Sequence, residues 1–430
     1  MSVVIHHGDS WEVLKGIPDG SVDSCCTDAP YALVATLKRF GADNAAPVKA
    51  GKTGVYKRSA AGFMGKRWDT GEAAHNPAFW AEVLRVLKPG AHLIAFSGTR
   101  TQHRQVCAIE DAGFEIRDTV LDLIASDTLA MTFFASLTDE QQGAFARVVE
   151  EAGIGGMLAW CFGSGFPKSH NQTGAHEGWG SALKPAFEPI CLARKPMIGT
   201  IAQNLAAFGT GALNIDGCRV GTADDLNGGA YTEGRQPRAM APGGAARSAQ
   251  PGAYSPPAGR WPANAVHDGS DEVIAAFPES DGAQGRVTGR EPSTGERYIL
   301  SGLAGNHAPR EPRADSASRF FYTAKADATD RLGSKHPTVK PTDLMRWLVR
   351  LVTPPGGTVL DPFAGSGSTG VACIAEGFDA ILIEREAEYV ADIRRRIAWA
   401  QGEGRLTAQE MAKAPDLTHD DLPLFGGQAA

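Results

Sequence analysis

The chain has 430 residues, 43% of them hydrophobic, and a formal net charge of -7; that is enough for a sizeable globular core plus one further domain or large insertion. No apolar run approaches the ~20 residues that span a bilayer, and the start from Met1 to His7 lacks the charged-then-apolar pattern of a signal peptide, so a cytoplasmic protein without membrane contact is expected. Seven scattered cysteines without a Cys-x-x-Cys pair suggest neither a disulfide framework nor a zinc ribbon, no metal site is expected, and the negative charge means that nucleic-acid contact must be made by local patches.

In chain order, Val3 to His6 reads as a strand and Trp11 to Gly16 as a short helix behind the cap candidates Asp9 and Ser10. Ser24 to Thr27 reads as a second strand, in which Cys25 and Cys26 are expected to be reduced and buried. Between Thr36 and Thr70 lie Lys38, Arg39, Lys49, Lys52, Lys57, Arg58, Lys66 and Arg67, opposed only by Asp43 and Asp69, whereas acidic residues gather from Glu376 to Asp421. A helix from Asn76 to Leu87 should end at Lys88-Pro89-Gly90, followed by a strand from Ala91 to Phe96 and a helix from Thr101 to Ala112 that stops at Gly113.

From Asp118 to Gly156 the pattern is apolar and helical, with a capping-box signature from Thr138 to Gln141. From about Gly209 to Ser318, Gly, Ala, Pro, Ser and Arg dominate, and long loops with a few short elements are expected. Order returns after Arg319. Leu344, Trp347, Leu348 and Leu351 stand at helical spacing in Thr342 to Val352, Thr358 to Leu360 is a strand, Ser368 to Glu376 a helix, Ala380 to Ile383 a strand, and Ala387 to Trp399 a last helix before a polar tail. This alternation is that of an α/β fold.

Two segments carry chemistry. Val359-Leu360-Asp361-Pro362-Phe363-Ala364-Gly365-Ser366-Gly367-Ser368-Thr369-Gly370 is a strand, a glycine-rich turn and a helix start, a turn that lets a ligand approach the backbone closely. It also fits the dinucleotide fingerprint of a nicotinamide-dependent oxidoreductase, and a tight turn without a ligand is the plain alternative. Asp361 at the strand end, and Glu384 at the end of the next strand placed for ribose hydroxyls, favour a nucleoside ligand.

The second segment, Thr27-Asp28-Ala29-Pro30-Tyr31, directly follows an apolar strand. An aromatic amine is a poor nucleophile because its lone pair is delocalised into the ring. A carboxylate at Asp28 and the carbonyl of Ala29, accepting its two N–H bonds, would favour a pyramidal nitrogen; Pro30 stiffens the turn and Tyr31 offers a stacking face for a flipped base. Taken alone, the tetrapeptide also suits a strand ending in a turn with an ordinary surface aspartate.

Together these segments resemble the β-class DNA amino-methyltransferases, which modify adenine or cytosine nitrogens. The catalytic signature, Asp/Ser/Asn-Pro-Pro-Tyr, is matched by Asp28-Ala29-Pro30-Tyr31, with Ala29 in place of the first proline; the cofactor signature is matched by Asp361-Pro362-Phe363-Ala364-Gly365-Ser366-Gly367. His336-Pro337-Thr338-Val339-Lys340-Pro341 resembles the family's additional cofactor segment. Trp160 to Asn171, followed by Phe187-Glu188-Pro189, resembles the strand and loop that close over the target base, with Phe166 either a second stacking face or a buried loop anchor.

The resemblance implies S-adenosylmethionine as cofactor, held by Asp9, His336, Pro337, Thr338, Lys340, Asp361, Phe363, Ala364, Gly365, Ser366, Gly367 and Glu384; Asp9 alternatively caps a helix. It implies a circularly permuted Rossmann-like methyltransferase sheet flanked by helices: residues 1–208 form the catalytic half with a helical insertion at about 119–155, 209–318 a loop-rich target-recognition region, 319–402 the cofactor half and 403–430 a polar tail. The reaction implied is methylation of adenine N6 in DNA, with cytosine N4 or a catalytically weak DNA-binding relative as alternatives. Asp28 rather than serine favours adenine. Lys38, Arg39, Lys66 and Arg67 would hold phosphates, a solvated loop being the alternative. No Pro-Cys dipeptide occurs, so no covalent enzyme intermediate is expected. The other partners expected are a second copy of the chain and a sliding clamp, the latter through Leu422, Leu424 and Phe425, which otherwise pack on their own domain.

Overall fold

A computed structural model describes residues 1–31, 73–117, 157–162, 174–177, 179, 186–222, 258–280, 315–324, 330–334, 336 and 338–402. The helical stretch expected at 119–155, the basic run with Lys38, Arg39, Lys66 and Arg67, and Phe166, Pro337 and the tail with Leu422, Leu424 and Phe425 lie outside these residues.

The first half begins with β1 (Val3–His7), α1 (Ser10–Lys15) and β2 (Val22–Thr27). Asp9 caps α1 by accepting the Trp11 N–H at 3.0 Å. Next come α2 (Pro77–Val86) and β3 (Leu87–Phe96). Asn76 caps α2 at Ala78 N and Pro77 occupies the first turn, where its missing N–H leaves no bond unmade.

This helix stops one residue sooner than its sequence suggests and the strand starts four sooner, at Leu87 rather than Ala91. The Lys195 ammonium donates to the carbonyls of Leu84 (2.8 Å) and Leu87 (2.7 Å), closing the helix end. The register of β2 against β3 then shifts between Val22↔Leu87 and Ser24↔His92, so Pro89 and Gly90 sit in an irregularity where a missing N–H is tolerated.

After α3 (Gln102–Asp111) and β4 (Glu115–Ile116) follow β5 (Met157–Cys161), β6 (Phe187–Arg194), α4 (Ile201–Phe208), β7 (Ala265–His267) and α5 (Asp271–Ala276). A two-stranded ribbon pairs β8 (Glu279–Ser280) with β9 (Asp315–Ser316). The chain continues through β10 (Tyr322–Thr323), α6 (Thr342–Val352), β11 (Thr358–Asp361), α7 (Ser368–Glu376), β12 (Asp379–Glu384) and α8 (Ala387–Ala400).

The main sheet runs β1-β12-β11-β2-β3-β6-β5-β7-β10, with β4 also on β6. Strands β1, β12, β11, β2 and β3 are mutually parallel, and β6 alone is antiparallel to its neighbours β3 and β5. The strand before the glycine turn is therefore internal, flanked by β12 and by β2 from the opposite end of the chain. From the glycine-rich region, β7 is not peripheral: it extends this same sheet beside β5.

Helices cover both faces, and the strands show it with a period of two. Cys26, Ile94, Phe96, Val359 and Leu382 enter one core with Trp347, Leu348, Val371 and Ile393. Cys25, Leu93, Ala95, Leu360 and Ile383 enter the other with Leu14, Phe79, Trp80, Val83 and Ile109. The apolar face of α6 anchors the first core: Trp347 is buried, stacks on Tyr322 at 5.3 Å and donates its Nε1–H to the Cys218 carbonyl. Each such large side chain contributes about 1.5–3 kcal/mol by leaving water. Among the described residues no helix is long and apolar enough to cross a membrane.

Because β2, β3, β5, β11 and β12 point the same way, Thr27, Phe96, Cys161, Asp361 and Glu384 all end at one edge, where antiparallel β6 begins with Phe187 and Glu188. In open α/β sheets that carboxyl edge is where ligands bind.

Candidate active site at the carboxyl edge of the sheet

The glycine turn leaves β11 with Gly365 at φ +52° and Gly367 at φ +80°, left-handed conformations that side chains resist. A Cβ on Gly365 would stand 3.0 Å from Nε2 of His336, and one on Gly370 would meet Leu382 Cδ1 at 2.6 Å and Ile397 Cδ1 at 2.8 Å. The first glycine thus admits the His336 ring, and the last lets α7 lie close on β12 and α8. Ser366 is buried, and its carbonyl accepts from the fully buried Arg396, which also donates to the Asp330 carbonyl at 2.6 Å.

Glu384 sits beside the turn. Its carboxylate accepts from Gly365 N at 2.9 Å and Glu386 N at 2.7 Å, and burial pushes its pKa up to about 6. A carboxylate offers about four lone-pair sites, so it retains capacity for further donors. Ala364 N donates to Ile383 O, while the ring of Phe363 lies 5.1 Å from Phe79 in the second core.

Asp361 ties this turn to the other motif. Its carboxylate accepts from Thr27 Oγ1 (2.7 Å), Thr369 Oγ1 (2.6 Å) and Phe363 N (3.0 Å), joining two positions 334 residues apart in sequence. Burial pushes its pKa up to about 6, against the opposing pull of those three donors. Asp361 thus links the glycine turn to the end of β2.

One residue past Thr27, Asp28 turns out of the sheet. Its Oδ2 lies 3.3 Å from Nζ of Lys340, and its Oδ1 is buried without a hydrogen-bond partner among the described residues. Ala29 is buried in the second core. Tyr31 is anchored at both ends: Thr101 Oγ1 donates to its carbonyl at 2.7 Å, and Lys340 donates to its hydroxyl at 3.0 Å. A Cβ on Gly98 would stand 3.2 Å from the Tyr31 ring, so that glycine sets the ring's seat. Burial first, then the charges of Asp28 and Glu188, raise the Tyr31 pKa well above its ordinary value, leaving a neutral phenol.

The segment from His336 to Lys340 bridges the two turns. The His336 ring lies over Gly365 and edge-on to Tyr389 at 4.5 Å, with Nδ1 2.9 Å from the Thr338 carbonyl. Burial lowers its pKa to about 4, so the imidazole is neutral. Four residues on, Lys340 reaches the Asp28–Tyr31 turn, a chain span of at most about 14 Å. Its ammonium meets Glu188 at 2.6 Å and lies over the rings of Phe96 (4.5 Å), Tyr31 (5.5 Å) and Trp160 (5.9 Å). Burial works to lower the Lys340 pKa, but Asp28 and Glu188 outweigh it and raise it.

The structure therefore gathers Asp28, Ala29, Tyr31, His336, Thr338, Lys340, Asp361, Gly365, Ser366, Gly367 and Glu384 along one edge. Lys340, expected among the cofactor contacts, has its named contacts with Asp28, Tyr31 and Glu188. Asp9 has its named bond in the α1 cap. Three residues given no role of their own by the sequence join the site: Ser97, and Glu188 and Trp160 from the segments that resemble the strand and loop over the target base. The hydroxyl of Ser97 and Nε1 of Trp160 are, like Asp28 Oδ1, buried without a hydrogen-bond partner among the described residues. Glu188 had a sequence signal in the Phe187-Glu188-Pro189 segment; Ser97 had none.

Residues 279–395 match the DNA methylase family. The DNA adenine methyltransferase YhdJ of Escherichia coli is 42% identical over 78 residues, 18% of this chain and 26% of that protein. The type II methyltransferase M.SmaI of Serratia marcescens is 32% identical over 105 residues, 24% of this chain and 35% of that protein. The matched part thus spans about a quarter to a third of these relatives. A putative DNA modification methylase of Thermus thermophilus, solved with S-adenosyl-L-methionine, aligns over 93% of this chain and 95% of its own at 16% identity and a TM-score of 0.36. The similarity to the DNA methylase family thus falls on the segment that carries the glycine turn, Glu384 and the His336–Lys340 bridge.

Proposed function

We propose that the chain is an S-adenosylmethionine-dependent DNA methyltransferase that methylates the exocyclic N6 of a flipped-out adenine. The observation that carries this reading is Oδ1 of Asp28, a buried carboxylate oxygen with no donor among the described residues. Leaving such an atom unmet is unfavourable by about 1–3 kcal/mol, and an amine N–H would relieve it. The second amine hydrogen goes to the Ala29 carbonyl. Catalysis is then mainly positioning, with the nitrogen lone pair aimed along the line of transfer and one proton released from the product nitrogen.

S-adenosylmethionine supplies an electrophilic methyl group carried on a cationic sulfur. The residues present suit it. The glycine turn presents bare backbone, Glu384 retains acceptor capacity for ribose hydroxyls, and the Ser97 hydroxyl and Trp160 indole N–H, without partners among the described residues, offer hydrogen bonds to a base edge. The late glycine turn on an internal strand supports a circularly permuted methyltransferase sheet, and region 209–318 is assigned to target recognition. DNA is the partner in this reading.

Asp28→Asn keeps the shape and removes the charge. Methyl incorporation into DNA should fall by roughly 10²-fold, the scale of losing one preorganised polar group, while calorimetric binding of S-adenosylmethionine is retained. Unchanged incorporation would overturn the assignment of Asp28. N4-methylcytosine as product would replace adenine as the target, and DNA binding without incorporation by the wild type would leave a catalytically weak relative.

A further inference from the structure

We infer that Glu188 is a positioning residue for methyl transfer: it takes up the charge of Lys340 so that Asp28 keeps its strength as the acceptor for the target amine. This rests on the reading of Asp28 given above. Glu188 stands second on β6, opposite Trp160 of β5, and thus at the carboxyl edge. The Lys340 ammonium is shared unequally, at 2.6 Å from Glu188 and 3.3 Å from Asp28.

Three groups and two signs of charge therefore meet in a site where Lys340 is nearly inaccessible and each carboxylate is about a fifth exposed, at 22% for Glu188 and 21% for Asp28. A lysine facing Asp28 alone would pair with it fully and draw off the electron density that the amine hydrogen needs. With Glu188 nearer, the ammonium is neutralised mainly by Glu188. It still orients Asp28 Oδ2 and the Tyr31 hydroxyl, and Oδ1 stays available. The site also carries one net negative charge from Asp28, Glu188 and Lys340, favourable to a cationic sulfonium and to the positive charge that passes to the amine nitrogen. The ammonium also lies within about 6 Å of the ring centres of Phe96, Tyr31 and Trp160, contacts that favour holding the cation there.

The test compares Glu188→Gln, Glu188→Asp and the pair Glu188→Gln with Lys340→Met, in the full chain, by single-turnover transfer of labelled methyl to DNA. Glu188→Gln should slow transfer by about tenfold or more, through the rate constant and not the cofactor Kd. Glu188→Asp, which keeps the charge, should stay within about threefold of wild type. Removing Lys340 as well should restore part of the rate, because Asp28 is then released from the unshared ammonium. Thermal unfolding with S-adenosylhomocysteine checks that each variant folds; should Glu188→Gln not fold, Glu188→Asp and the double variant carry the comparison. Wild-type rate in Glu188→Gln, a Glu188→Asp variant as slow as Glu188→Gln, or a double variant slower than either overturns the inference. If wild-type protein transfers no methyl, the underlying reading fails and this inference falls with it; an active wild type with an equally active Glu188→Gln sinks the inference alone.

Discussion

Asp361→Asn isolates the carboxylate that joins the two halves of the site. Asp361 is buried, its pKa is raised from 3.8 to about 6, and it accepts three hydrogen bonds. Between those two pH values the folded protein holds a proton that the unfolded chain has lost. Stability from this group is therefore full below about pH 4 and declines as pH rises through about 6. At 1.36 kcal/mol per pH unit the decline is about 3 kcal/mol. Asparagine fits the same network, since its oxygen takes the Phe363 N–H and its NH2 faces a Thr hydroxyl that can accept. It does not titrate. Urea unfolding followed by tryptophan fluorescence at pH 4 and pH 7.5 should show the variant gaining about 3 kcal/mol relative to wild type across that interval. Glu384 is shifted in the same direction in both proteins and cancels in the difference. Parallel pH profiles for the two proteins would refute the reasoning.

Gly370→Ala would stabilise an open helix by about 1 kcal/mol, but the contacts of 2.6 Å and 2.8 Å to Leu382 and Ile397 reverse the sign. Overpacking of about 1–3 kcal/mol should leave a net loss, read as a lower urea midpoint; a higher one would show that α7 is less tightly seated than it looks. Cofactor affinity should weaken as pH falls through about 6, because protonated Glu384 loses acceptor strength toward ribose hydroxyls. Calorimetry on wild type and Glu384→Gln checks this, the glutamine variant being weaker at pH 8 and flat with pH; identical pH profiles would remove Glu384 from the cofactor site.

Local signals made much of this fold legible. The helices Thr342–Val352 and Ser368–Glu376 fall where apolar spacing places them, the second closed by Gly377 at φ +86°. Residues Cys25 and Cys26 sit buried as free thiols. What sequence did not disclose is tertiary. Pro89 and Gly90 look like a break between helix and strand, yet pairing with β2 absorbs them into an irregular strand start. Region 209–318 lacks periodicity, yet Ala265–His267 finds a place in the main sheet because β5 leaves an edge open to it. In the site, the motif residues were legible but their bonding was not. Asp361 faces inward to Thr27 and Thr369, and Lys340 pairs with Asp28 and Glu188, because the segments that carry Thr27, Asp28 and Glu188 are brought alongside from more than a hundred residues away.

Methyl transfer by this site requires an amine held at Asp28 to meet a methyl donor at the glycine turn. Incubating the protein with DNA and methyl-labelled S-adenosylmethionine, digesting to nucleosides and separating them tests this most directly. N6-methyldeoxyadenosine carrying the label, absent with Asp28→Asn, is the predicted result. Label-free DNA from a folded wild type that binds the cofactor, or equal labelling by wild type and variant, would contradict it.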